Sequence, residues 1–149
     1  LKPFWLKLNL LLIACLPPGH FYLSLLAMEI LKIRNGRLIL KIDGDTFSVI
    51  NSKLKTLRTY GTVSQITTAF EHVKTGDIYT GGMYGELRRW DIKSGINEII
   101  RRPSHAISAV KGLLHLPSCG DDVLSWGDRG EIYRFRVGST DGEKLAGPS

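Results

Sequence analysis

Apolar residues along this chain recur in short runs, often at alternate positions, and the runs are cut by clusters of Gly, Asn, Asp, Ser and Thr, a pattern of strands and tight turns rather than helices. From residue 29 onward the runs fall into three units. In the first, Glu29 to Ile33, Leu38 to Ile42, Phe47 to Ile50 and Leu54 to Tyr60 are predicted strands, with turns at Asn35-Gly36 and Asp43-Gly44-Asp45. The second gives Gln65 to Phe70, Asp77 to Thr80, Glu86 to Ile92 and Ile96 to Arg101, divided by Lys74-Thr75-Gly76, Gly81 to Gly85 and Lys93-Ser94-Gly95. The third gives Ala106 to Leu114, Val123 to Trp126 and Ile132 to Val137. After Val137 the sequence runs out where a fourth strand should begin, so the third unit is expected to be truncated.

The units repeat. At an offset of 45, Thr80 meets Ser125, Gly82 meets Gly127, Gly85 meets Gly130, Glu86 meets Glu131, Leu87 meets Ile132, Arg89 meets Arg134 and Trp90 meets Phe135. A weaker copy upstream sets Val49-Ile50-Asn51 against Arg89-Trp90-Asp91. Periods of about 40–45 residues are those of β-propeller blades. The expected fold is all-β, a partial propeller of about two and a half to three four-stranded antiparallel blades. Residues 28–60 make the first blade, 61–103 the second and 104–149 the third, which is truncated. Closed propellers take about 4–8 blades, so the chain is expected to be a fragment of a longer propeller or to self-associate to close a ring.

Thr80-Gly81-Gly82, followed by Glu86-Leu87-Arg88-Arg89-Trp90-Asp91, resembles the end of a WD repeat, and Leu124 to Phe135 is similar to the degenerate repeats of bacterial propellers. The resemblance implies that Trp90 donates its indole N–H to Thr80 and that Thr80, Trp90, Asp91, Ser125 and Phe135 lock the blades, with Leu87 and Ile132 in the core between them. The family's network is incomplete here, because its Asp position falls on Tyr84 and no Gly-His dipeptide precedes the second unit, although His105 could serve the third. Phe135 also lacks the indole donor. The resemblance further implies a non-catalytic scaffold that presents Tyr60, Met83, Tyr84, Arg101, Arg102, Asp128 and Arg129 to a protein or peptide. An alternative is set by Gly76 to Gly82 and Ile92 to Gly95, which also look like quinoprotein or outer-membrane-assembly propeller repeats of the periplasm. Trp90 favours the WD-type resemblance, and a cofactor pocket would need more blades than the sequence holds.

Composition narrows the classes further. The 149 residues are 43% hydrophobic and 23% charged, ordinary for a globular protein, and 16 Gly suit many tight turns. The formal charge is +6, but Lys2 and Lys7 lie in an apolar leader of residues 1–27, leaving 18 basic and 14 acidic groups beyond it. Those charges alternate along the chain apart from Arg88-Arg89 and Arg101-Arg102, so a solvated surface is expected and no specific nucleic-acid partner. The leader is broken by Pro17-Pro18-Gly19 and neither half reaches the roughly 20 residues that cross a bilayer. Three alternatives stand for it: read-through upstream of an initiator Met28, a signal whose Leu12-Ile13-Ala14-Cys15 resembles a lipoprotein box, or a packing or membrane segment. A cytoplasmic location is expected, with export or a lipid anchor through Cys15 as the alternative, and no membrane partner unless the leader is genuine.

Chemistry-bearing residues are sparse. Cys15 and Cys119 have neither disulfide-framework nor zinc-ligand spacing, and no cofactor or metal is expected. His20, His72 and His115 are read as turn or edge residues; Asp43-Gly44-Asp45 and Asp121-Asp122 invite a calcium or carboxylate-pair reading, but the first has only two acids, lacks the later bidentate Glu of a calcium loop and is read as a hairpin turn. Gly81, Gly82 and Gly85 lead into a strand with no Lys-Ser or Lys-Thr, unlike a phosphate loop.

Overall fold

A computed structural model describes residues 21–23, 29–104, 107–117, 120–136, 139 and 141–148. Among these the chain is all-β, with strands in three antiparallel sheets, each joined in simple sequence order. It divides into two compact units, residues 1–63 and 64–149. Among the described residues no helix is long and apolar enough to cross a membrane.

The first unit is a meander of β1 (Phe21–Leu23), β2 (Glu29–Ile33), β3 (Leu38–Asp43), β4 (Thr46–Asn51) and β5 (Thr56–Gly61). Ile33, Leu40 and Phe47 are completely buried, as expected for large apolar side chains on the covered face of a sheet. The boundary at residue 27 does not separate a leader from the sheet. Phe21, Tyr22 and Leu23 pair in register with Leu31, Ile30 and Glu29, so part of that apolar run is spent as a strand. Tyr60 is also corrected: instead of facing solvent it is 8% exposed and stacks on Phe47, its direct cross-strand partner, with ring centroids 4.8 Å apart. A neighbour that is local across strands but distant in sequence decides its side.

The second unit holds two four-stranded sheets. One is β6 (Ile66–Glu71), β7 (Ile78–Gly82), β8 (Leu87–Trp90) and β9 (Asn97–Arg101); the other is β10 (Val110–Leu116), β11 (Asp122–Gly127), β12 (Ile132–Phe135) and β13 (Gly142–Ala146). Ile78 pairs with Trp90 and Thr80 with Arg88, just as Val123 pairs with Phe135 and Ser125 with Tyr133. The offset of 45 thus holds in three dimensions, residue for residue. β13 corrects the expectation of a truncated third unit, since its Glu143 and Lys144 pair with Arg134 and Tyr133. All five β13 residues are exposed, so the strand carries no apolar signal and is held through its backbone ladder.

The two sheets of this unit stack face to face. Tyr79, Leu87 and Ile100 meet Val123 and Phe135, with Phe70, Leu113 and Tyr133 around them. The approach is tight where the inner strands meet: a Cβ on Gly81 would lie 2.6 Å from Val110 Cβ, and Thr67 Oγ1 donates to the Val110 carbonyl at 2.5 Å. One sheet uses its Tyr79/Leu87 face and the other its Val123/Phe135 face, which correspond to opposite faces under the repeat. The sheets therefore follow one another head to tail, a partial propeller-like arrangement.

Candidate functional site

Trp90 Nε1 donates to Thr80 Oγ1 at 2.9 Å, and both side chains are 2% exposed. Alternation along β7 and β8 puts them on one face, and burial makes the bond matter, because an unpaired indole N–H there would be desolvated without compensation. The Arg88 guanidinium lies over the indole at 5.9 Å. In the next sheet Ser125 and Phe135 occupy the same two positions. Ser125 is 1% exposed and its Oγ has no hydrogen-bond partner among the described residues, because Phe135 has no N–H to offer. Phe135 instead packs in the cluster between the sheets.

Asp91 does not join the Trp90–Thr80 bond. It organises the β8–β9 corner, where its carboxylate accepts from Lys93 N at 2.9 Å and Ser94 Oγ at 2.7 Å. The Ser94 hydroxyl, and then the Lys93 amide, hold the Asp91 carboxyl below its ordinary value. Asn51 does the same work between β4 and β5, accepting from Lys53 N and Lys55 N at 3.0 Å each. The weak upstream copy of the repeat is thus a shared corner.

A second lock recurs at the other end of each of the two sheets. Glu86 is 2% exposed, accepts from Ser64 Oγ at 2.8 Å and pairs with Arg88 Nε. Glu131 accepts from Ser108 Oγ and from Arg129 N, the latter at 3.0 Å. Each Glu closes a glycine turn through its carbonyl, Gly82 N to Glu86 O at 2.8 Å and Gly127 N to Glu131 O at 3.1 Å. Gly85 and Gly130 in those turns have φ of 73° and 76°, a region costly to residues with a Cβ. For Glu131, burial pushes the carboxyl upward, but the Ser108 hydroxyl and the backbone amides outweigh it and hold it low. The serines fall 44 positions apart rather than 45, so the repeat alone does not reveal them.

The residues assigned to a partner face divide. Met83 and Tyr84, at the β7–β8 turn, are 42% and 40% exposed. Arg102 is exposed on the segment after β9, and Ser104 N donates to the Tyr84 carbonyl at 2.9 Å, tying that segment to the turn. Asp128 and Arg129 are exposed on the matching turn of the next sheet, where Asp128 pairs with Lys111 at 3.0 Å. An open cleft of about 410 Å³ beside it is lined by Ile107, Arg129, Glu131, Tyr133 and Lys144. Arg101 is corrected. Its Nε donates to the Gly85 carbonyl at 2.6 Å and its guanidinium lies 4.9 Å from the Tyr133 ring centroid and 5.6 Å from that of Phe135. Burial lowers its pKa from the ordinary value, so it clamps the two sheets together rather than facing a partner. Of the two Arg doublets, Arg88 is taken by Glu86 and Arg89 by Glu98 at 2.8 Å. Cys15, His20, His105 and Cys119 lie outside the described residues.

The fold and these locks define a class, an all-β protein of successive antiparallel blade-like sheets. No family model matches the chain, and no curated protein is significantly similar to it.

Proposed function

We propose that the chain is a WD-type, non-catalytic scaffold whose rim of Met83, Tyr84, Arg102, Asp128 and Arg129 receives a protein or peptide. The observation that carries this is the pinned turn: Tyr84 and Arg102 are exposed on segments joined by the Ser104–Tyr84 backbone bond. Large amphipathic and guanidinium side chains on a rigid support lose little entropy on binding and are the types enriched in energetic hot spots. The Trp90–Thr80 bond supports the WD-type assignment over the quinoprotein alternative. With a captured partner in hand, Tyr84→Ala and Arg102→Ala are each expected to weaken binding by about 2 kcal/mol, near 30-fold, with the melting temperature unchanged. Titration calorimetry giving wild-type affinity for both variants would remove the rim from the function.

The same proposal gives the outward face of the last sheet a role. Leu124 and Ile132 stand where Tyr79 and Leu87 stand in the preceding sheet, and beside them Leu114 is 50% and Trp126 40% exposed. A further blade-like surface, such as one from a second copy, would cover them as β10–β13 covers Tyr79 and Leu87. The isolated chain is expected to self-associate in light scattering, and Leu114→Lys with Trp126→Lys to return it to monomer. An unchanged mass for the double variant would exclude this face.

A further inference from the structure

At the end of the two stacked sheets opposite the rim, the β6–β7 and β10–β11 connections bring together two imidazoles and a carboxylate. His72, read from sequence as a turn residue, is completely buried, and its ring centroid lies 4.1 Å from that of His115 on β10. His115 Nε2 is 3.1 Å from Asp121 Oδ1, and His72 Nε2 is 3.2 Å from the Asp121 carbonyl oxygen. One nitrogen from each histidine and one carboxylate oxygen of Asp121 all lie within 4.8 Å of one another.

Two imidazole nitrogens with one carboxylate oxygen form a donor set for borderline divalent ions such as zinc, cobalt or nickel, whereas calcium and magnesium take oxygen ligands throughout. Metal–ligand bonds of about 2.0–2.1 Å place tetrahedral ligand atoms roughly 3.4 Å apart. The His115–Asp121 pair already stands near that spacing at 3.1 Å, and a pair at the 4.8 Å limit has to close by about 1.4 Å. The surroundings supply the proton accounting. His72 Nδ1 accepts from Thr75 N at 3.3 Å, with Thr75 Oγ1 at the same distance, so Nε2 carries the proton and donates to Asp121. When Nε2 takes a metal it gives up its proton, and the ring is protonated at Nδ1 instead; Nδ1 then donates to Thr75 Oγ1 in place of accepting from Thr75 N, which fixes the ring as outer-shell partners do. The resident cation is Lys74, whose Nζ lies 2.5 Å from Asp121 Oδ2 on a side chain that is 71% exposed. An ion pair this exposed is weak, and the lysine can return to solvent when a divalent ion arrives.

We propose that His72, His115 and Asp121 form a three-ligand site for a zinc-class divalent metal, with a fourth position left to water or an added ligand. The ligands come from two different sheets, so the ion clips those sheets together, and binding only to the stacked state raises the stability of the fold by mass action. The test uses the full chain with cobalt(II) as the probe and zinc as competitor. The expected result is one equivalent of cobalt with the intense visible bands of a low-coordinate ion, displaced by zinc, and a melting temperature that rises with zinc. His115→Ala and Asp121→Asn, both at partly exposed positions, are expected to abolish this while remaining folded. Thr75→Ala should weaken affinity about tenfold or more, and Lys74→Ala should tighten it. Wild-type chain without stoichiometric cobalt binding, or binding that survives both ligand substitutions, overturns the site.

Discussion

Trp90→Ala is expected to remove about 3–5 kcal/mol of folding stability, the usual cost of emptying a buried aromatic site. Two terms add. The indole is 2% exposed, so its truncation leaves a cavity, and Thr80 Oγ1 loses the donor it holds at 2.9 Å. Trp90→Phe isolates the second term and should cost about 1–3 kcal/mol, the penalty for stranding a buried hydroxyl. The paired sheet supplies the control. Ser125 is the repeat partner of Thr80, but its buried hydroxyl has no partner among the described residues. Thr80→Ala should therefore destabilise while Ser125→Ala is neutral or stabilises by up to about 1 kcal/mol. Urea denaturation of the four variants checks this, and equal losses for Thr80→Ala and Ser125→Ala would contradict the account.

Glu86→Ala should cost about 3–5 kcal/mol, since it removes one partner of a buried ion pair. Glu86 and Arg88 have side chains 3% and 11% exposed, and Ser64 Oγ, itself buried, would also lose its acceptor. Glu86→Gln keeps an acceptor for Ser64 and should recover part of the loss. Glu131→Ala is the milder copy, because its turn is open to solvent on the Arg129 side. The Glu131 carboxyl is held below its ordinary value of 4.5, so the stability it contributes is complete above that pH. As pH falls through the folded value the contribution is lost, and wild type and Glu131→Ala should converge. Melting temperatures recorded for both proteins down the acid limb report this, and a gap that persists at the lowest pH would contradict it.

Strand positions were legible because their causes are local. Alternation of apolar residues, and glycines where φ must be positive, locate eleven strands of the described chain, β2 to β12, within a few residues. The repeat also carried pair information: once Thr80 and Trp90 are seen as a unit, their counterparts Ser125 and Phe135 follow, as does the missing donor. β13 was not legible, because an edge strand exposed along its whole length needs no apolar pattern, only a neighbour with unpaired backbone groups. Nor was Ser64 or Ser108, since neither keeps the repeat's spacing and both matter only once a glutamate turns back toward them.

What the sequence by itself determined is the all-β architecture and the order of the blade-like sheets, which depend on periodicity; the Thr80–Trp90 pair was implied by the resemblance to a WD repeat and joins residues brought together by adjacent strands. What only the tertiary structure decided is which side chains are buried against a neighbour rather than left on the rim. Tyr60 and Arg101 have the composition of a binding rim, yet one stacks on Phe47 and the other on Tyr133 and Phe135. His72, His115 and Asp121 are unremarkable apart and meet only because two sheets stack head to tail. Alternation tells which residues share a face, but the partner of that face is set by the packing of whole sheets, a non-local choice that no short window of sequence contains.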